Sequence, residues 1–282
     1  MKKIIFSLCF ILCVTLAFAD EKRDSILIVK ADWVTSTTAE GITHKQAQIK
    51  GLFNSVQSIN LVEIPRSAKR KIGIAGNEGM KLTSQQATEK GALAAINGTY
   101  YNMVLGNSVC FYKIDGEVID TTSNSEFKNR VNGAIHELKG EIKIIDWNKE
   151  IEANYKGKRG TVLASGPIML EDGHLSDWSA CSQNFIDTRH PRSAIYIKGD
   201  GTVVFITVDG RSEGNAAGVS IPELAFLIKI LGGKDALNLD GGGSTTLWLK
   251  GAPDNGVLNY PSDNKRFDHM GERAVSNIFY VK

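Results

Sequence analysis

Asp240 opens the run Asp240-Gly241-Gly242-Gly243-Ser244, which puts a carboxylate, three residues without side chains and a hydroxyl into one turn. Glycines in series permit positive φ angles or close approach to the main chain, and their N–H groups can cradle an anion. A second acid, Asp209, stands in Asp209-Gly210-Arg211, and a third, Glu272, precedes Arg273. The carboxylates are candidates for acid/base, nucleophilic or charge-stabilising work. Arg192, Arg211 and Arg273 carry planar forks that hold an oxyanion bidentately, which lysine cannot do. Structural roles are also open to each: the two aspartates can close turns onto the backbone, and Glu272-Arg273 can be a surface ion pair.

Several other chemistries are excluded. A dinucleotide or P-loop site needs its glycines to open a helix, whereas Ser244-Thr245-Thr246-Leu247-Trp248-Leu249 reads as strand and no Gly-Lys-Ser/Thr occurs. Zinc is not expected, because there is no Cys-x-x-Cys or His-Glu-x-x-His. No His stands in a triad pattern with Ser244. No cofactor is required, although a divalent cation can sit between Asp209 and Asp240, both hard oxygen ligands.

These residues fall at the ends of predicted strands. Ala92 to Ile96 runs into Asn97-Gly98, Thr161 to Ala164 into Ser165-Gly166-Pro167, Thr202 to Asp209 into Gly210, and Ala236 to Leu239 into Asp240. Between the last two lies the clearest helix, with Ser220 and Glu223 as a capping box, Pro222 in its first turn and Gly232 at its end. Strand, helix and strand form one βαβ-like unit in the C-terminal half. If its strands are parallel neighbours, Asp209 and Asp240 leave the same sheet edge. Asp115-Gly116, Lys139-Gly140 and Asp172-Gly173 mark hairpins, Ile26 to Val29 reads as a strand, and Thr83-Ser84 starts a helix. The expectation is an α+β domain with a mixed, mainly antiparallel sheet and a few helices.

The chain has 282 residues, 33 basic and 31 acidic. Met1-Lys2-Lys3 and the apolar run Ile4 to Phe18 read as a signal peptide cleaved after Ala19, giving a periplasmic or extracellular protein with no membrane span. Loss of Lys2 and Lys3 leaves basic and acidic residues balanced, so no nucleic-acid partner is expected. Lys69-Arg70-Lys71 is the dense basic run and reads as a solvated strand end. Cys110 and Cys181 survive cleavage, and in an exported chain they are expected to pair.

Asn97-Gly98 with Tyr100-Tyr101, Ser165-Gly166-Pro167, His190 to Ala194, Asp209 to Arg211, the helix from Ser220, Asn238 to Ser244, Asn259-Tyr260-Pro261 and Glu272 to Asn277 occur in the order of the phosphodiester glycosidase family, which the chain resembles over roughly residues 70–282. The resemblance implies a domain over 71–282, with 20–70 as an N-terminal elaboration packed on it, and hydrolysis of a sugar 1-phosphodiester such as that of N-acetylglucosamine. It assigns Asp240, Asp209 and Glu272 to catalysis. Asn97, Gly98, Ser165, Gly166, Arg192, Arg211, Gly241, Gly242, Gly243, Ser244 and Arg273 are assigned to a carbohydrate phosphodiester substrate. The chemistry agrees, since a departing phosphate needs donors and an oxocarbenium-like carbon needs a carboxylate. Two alternatives are a non-catalytic carbohydrate or cell-wall binder and a metal-dependent phosphodiesterase. Tyr196, where relatives carry glycine, is expected to narrow the cleft.

Overall fold

The computed structural model describes residues 20–157 and 159–282, so the expected signal peptide lies outside the described residues. In chain order the strands are β1 (Val34–Thr37), β2 (Thr43–Lys50), β3 (Val56–Ile64), β4 (Ile72–Lys81), β5 (Ala94–Asn97), β6 (Tyr112–Ile114), β7 (Glu117–Asp120), β8 (Gly133–Leu138), β9 (Glu141–Asp146), β10 (Thr161–Ser165), β11 (Ile168–Glu171), β12 (His174–Leu175), β13 (Arg192–Lys198), β14 (Val203–Val208), β15 (Gly233–Asn238), β16 (Leu247–Leu249) and β17 (Val275–Val281). The helices are α1 (20–29), α2 (Thr83–Glu89), α3 (Asn124–Asn129), α4 (Lys149–Asn154), α5 (Gln183–Asp187) and α6 (Ile221–Ile230).

Three sheets result, ordered β1-β2-β3-β14-β13-β15-β11-β12, β7-β6-β10-β8-β9 and β16-β5-β17-β4. Every paired neighbour is antiparallel, which fits the expected α+β class. The period-2 alternation of β13 explains the layering. Ala194 and Tyr196 point into a core shared with Ile28 of α1 and with Leu224, Leu227 and Ile228 of α6. Ile195 points the other way, into a core shared with Ile96, Leu163 and Phe279 of the two smaller sheets. The large sheet is therefore buried on both faces at its centre.

Local signals placed several elements as expected. In α6 the backbone N–H of Glu223 donates to Ser220 Oγ while Ser220 N–H donates back to Glu223. Asp115-Gly116 and Lys139-Gly140 both hold paired positive φ angles, the two-residue turn whose twist matches that of its flanking strands. Two expectations need correction. Ile26 to Val29 is helical, with Ile28 buried while Ile26 and Val29 are exposed, a helical rather than alternating pattern. In the βαβ-like unit, β14 and β15 run parallel but are not neighbours, because β13 lies between them. Residues 20–70, expected as an elaboration packed on the domain, supply β1, β2 and β3 of the large sheet itself, where β3 pairs with β2 on one side and β14 on the other. Among the described residues no helix is long and apolar enough to cross a membrane.

Candidate active site

Asn97, the last residue of β5, is fully buried and ties four segments together. Its Nδ2 donates to the Asp240 carbonyl at 2.7 Å, and its Oδ1 accepts from Ser193 Oγ at 2.7 Å and Thr246 N–H at 3.1 Å. The Asp240 N–H donates to the Gly98 carbonyl at 3.0 Å, so the backbone of Asp240 is held on both sides. Gly98 can only be glycine, because an added Cβ would overlap the Asn277 side chain. Behind this clamp Asn238 donates to Tyr100 Oη at 2.8 Å and the Gly166 carbonyl at 2.9 Å, while its own carbonyl accepts from Ser165 Oγ at 2.9 Å.

Asp240 is half-buried. Burial pushes its pKa above the ordinary carboxylate value, while Ser244, the Arg130 charge, the Gly241 N–H and the Arg273 charge pull against that rise. The Gly241 N–H lies 2.9 Å from Asp240 Oδ1. Ser244 Oγ is fully buried and has no partner in hydrogen-bond geometry among the described residues. Gly242 has φ +63° and lies under the Arg211 guanidinium, where an added Cβ would sit 3.0 Å from Nη2. A Cβ on Gly243 would strike Arg273. Gly242 and Gly243 thus let two guanidiniums lie against the main chain, while Gly241 lets the turn approach the Pro191 carbonyl.

A third guanidinium, that of Arg130 at the end of α3, lies near enough for its charge to act on Asp240. Arg130 is paired with Glu126 through Nε at 2.6 Å and Nη2 at 3.0 Å, and it lies 3.6 Å over the Tyr100 ring. Burial works against its charge, but Glu126, Tyr100 and Asp240 together raise its pKa. Arg273 is oriented by Asp263, with Nε at 2.9 Å, and Arg211 approaches His190 Nδ1 at 3.5 Å. Tyr101 completes the rim, its hydroxyl donating to the Ala274 carbonyl at 2.8 Å. The result is one half-buried carboxylate, a glycine turn and three guanidiniums in a common neighbourhood. Such a set can hold a phosphate beside a base.

The phosphodiester glycosidase profile matches residues 90–282. The chain belongs to the phosphodiester glycosidase family. It is 33% identical over 133 residues to the SPbeta prophage-derived uncharacterized protein YomE of Bacillus subtilis, an alignment covering 42% of this chain and 20% of that protein. It is 25% identical over 206 residues to N-acetylglucosamine-1-phosphodiester alpha-N-acetylglucosaminidase of Mus musculus, covering 69% of this chain and 38% of the mouse protein. The chain thus spans well under half of the curated relatives it matches. The zebrafish catalytic domain of that enzyme superposes with a TM-score of 0.65 at 18% identity, covering 88% of this chain and 87% of the other. A hypothetical protein from Synechocystis superposes at 0.63 with 18% identity, covering 88% of this chain and 63% of the other. At this identity the superpositions show the fold.

The expected site residues separate in space. Asp240, Gly241, Gly242, Gly243, Arg211 and Arg273 share one neighbourhood. Asn97, Gly98, Ser165 and Gly166 lie behind it, their polar groups engaged in positioning Asp240 and Asn238. Arg192 is buried and donates to the carbonyls of Val219, Phe185 and Thr188; it feels the Asp240 charge, but burial dominates and pushes its pKa down to about 10. Asp209 is held inside the fold. Its carboxylate is buried and accepts from Ser58 Oγ at 2.7 Å, Asn259 Nδ2 at 3.0 Å and Tyr260 N–H at 2.9 Å. Glu272 turns to α2, accepting from Ser84 N–H at 3.0 Å and Ser84 Oγ at 2.6 Å.

No group of three or more His, Cys, Asp or Glu converges among the described residues. Two further corrections follow. Cys110 and Cys181 are both free thiols. Cys110 packs with Phe111 and Trp147, whereas Cys181 lies against the α6 core. Tyr196 is fully buried in that same core and narrows no cleft. The sequence reading missed Arg130, and it named Tyr101 and His190 only as parts of motifs, without a site role. The Glu126–Arg130 spacing was visible as an i,i+4 pair, but such pairs are common on helix surfaces.

Proposed function

We propose that this protein is an exported hydrolase that cleaves the glycosidic bond of a sugar 1-phosphodiester, releasing the sugar and a phosphomonoester. The observation that carries this reading is the half-buried carboxylate of Asp240, near the Arg130 and Arg273 charges and beside a glycine turn that lies under Arg211. Ordinary glycosidases use two carboxyl groups because an alkoxide must be protonated as it leaves. A phosphate leaves as a far weaker base, with its last pKa near ~6, and guanidiniums can stabilise it without a proton. One carboxylate then suffices. Water attacks the anomeric carbon, the bond from that carbon to the bridging oxygen breaks with its electrons going to the phosphate, and Asp240 accepts the water proton. A carboxylate whose pKa is raised is a better base than an ordinary one, while burial of the site strengthens each contact. No cofactor enters this scheme.

The test is hydrolysis of a panel of sugar 1-phosphodiesters, including that of N-acetylglucosamine, in ¹⁸O-labelled water. Free sugar released together with an unlabelled phosphomonoester supports the proposal. Label in the phosphate with release of sugar 1-phosphate indicates P–O cleavage and a phosphodiesterase, and binding without turnover across the panel indicates a carbohydrate-binding protein.

A further inference from the structure

A cationic cleft of about 680 Å³ lies at the end of the large sheet away from Asp240. One wall is the turn after β3, with Arg66, Lys69, Arg70 and Lys71, and the other is the β8–β9 hairpin, with Lys139 and Lys143. Strand register fixes its place. Ile64 of β3 pairs with Val203, the first residue of β14, while Asp209 follows the last. Six residues at about 3.3 Å each put the cleft roughly 20 Å from the Asp209 end of the sheet.

The cations there are poorly compensated. Glu141 is the one acid lining the cleft, and it meets Arg66 only at 3.9 Å with both side chains mostly exposed, an arrangement of little energetic weight. Among the described residues none of the four lysines has a carboxylate within ion-pair distance. In a chain with 33 basic and 31 acidic residues, six cations in one concavity are a local concentration of charge and not a reflection of composition. The floor differs from the walls: Ile64, Ile142 and Val203 line it. A ligand matched to this cleft carries repeated negative charge and also carbon-bound hydrogen surface.

We propose that the cleft binds a linear polymer of phosphodiester-linked polyol or sugar units, holding it on the protein while another part of the chain reaches Asp240. The choice of polymer rests on the proposed function, whereas the anion binding does not. The test is fluorescence anisotropy with fluorescein-labelled poly(glycerol phosphate), using Asp240→Asn protein so that turnover plays no part. Combined Lys69→Gln, Lys139→Gln and Lys143→Gln should weaken binding by about tenfold or more and make the salt dependence shallower by roughly two logarithmic units for three lost contacts. In the otherwise wild-type protein the same three changes should leave kcat/KM on a small phosphodiester within about twofold, since they lie far from Asp240. Equal polymer affinity with and without the lysines overturns the proposal. So does binding to phosphatidylglycerol vesicles through these lysines without binding to the polymer, which would make the cleft a membrane contact.

Discussion

Replacing Asn97 by alanine should damage both stability and catalysis, by amounts its hydrogen bonds define. The change leaves three groups without their partner: the Asp240 carbonyl, Ser193 Oγ and the Thr246 N–H. A buried polar group without a partner costs about 1–3 kcal/mol, so the three together reach about 3–9 kcal/mol. Ser193 can rotate and water can enter the space left by the amide, which puts the expected loss in the lower half, about 3–5 kcal/mol. Against a usual total of about 5–15 kcal/mol this is severe, and it corresponds to a fall in Tm on the order of 10 °C. Ser193→Ala provides the graded comparison. It removes one donor and leaves Asn97 Oδ1 with Thr246, so it should cost only about 0.5–1.5 kcal/mol. Urea unfolding at constant m-value measures both. Freed of its clamp, Asp240 should also lose position, lowering kcat by roughly a hundredfold in Asn97→Ala protein that is still folded. Equal midpoints for the two variants, or an Asn97→Ala protein within about 1 kcal/mol of wild type, would refute the clamp.

Asp240→Asn should retain most phosphodiester affinity while kcat falls by about 10²–10⁴-fold, and near-normal kcat in the folded variant would remove Asp240 from catalysis. Arg211→Lys keeps the charge but loses the fork, so KM for phosphodiesters should rise and discrimination against neutral glycosides should fall; an unchanged KM would show that Arg211 does not hold phosphate. Burial raises the Asp209 pKa in the folded state despite its three donors. The penalty for ionising it is therefore absent below the unfolded pKa near ~3.9 and complete above the folded one. Asp209→Asn should accordingly gain stability over wild type as pH rises through that window, with kcat little changed; a large loss of kcat would restore Asp209 to the chemistry. In native protein starting at Asp20, half-buried Cys181 should react with a thiol reagent and Cys110 only after unfolding, and protection of both would indicate a bridge.

What the sequence disclosed was what local chemistry decides. The Ser220–Glu223 box and the Asp-Gly and Lys-Gly turns satisfy their own backbone groups within a few residues, so α6 and the hairpins could be read directly. The Asp240 turn was legible for the same reason, since three glycines announce a close approach whatever lies above them. Ile26 to Val29 was not, because four apolar residues are too few to show a period. The partners of Arg192 were not legible, because its type suggests a ligand, whereas its fate is set by carbonyls contributed from Phe185, Thr188 and Val219. Asp209 is likewise decided by Asn259 and Tyr260, fifty and fifty-one residues along the chain. Arg130 acquires its place only when the α3 segment folds over Tyr100.

The position of β17 has a consequence for the order in which the molecule can form. This strand is inserted between β4 and β5, which precede it by nearly two hundred residues, and Asn277 on it supplies the oxygen that receives the Thr99 N–H next to Gly98. A growing chain that stops short of residue 275 leaves β4 and β5 apart and exposes the inner edge of each. It also lacks the side chain that shapes the Gly98 end of the Asp240 clamp. Closing such distant pairs is slow, because the loop entropy is lost before the contacts repay it. During synthesis, then, the Asp240 clamp cannot be complete before the β17 segment arrives.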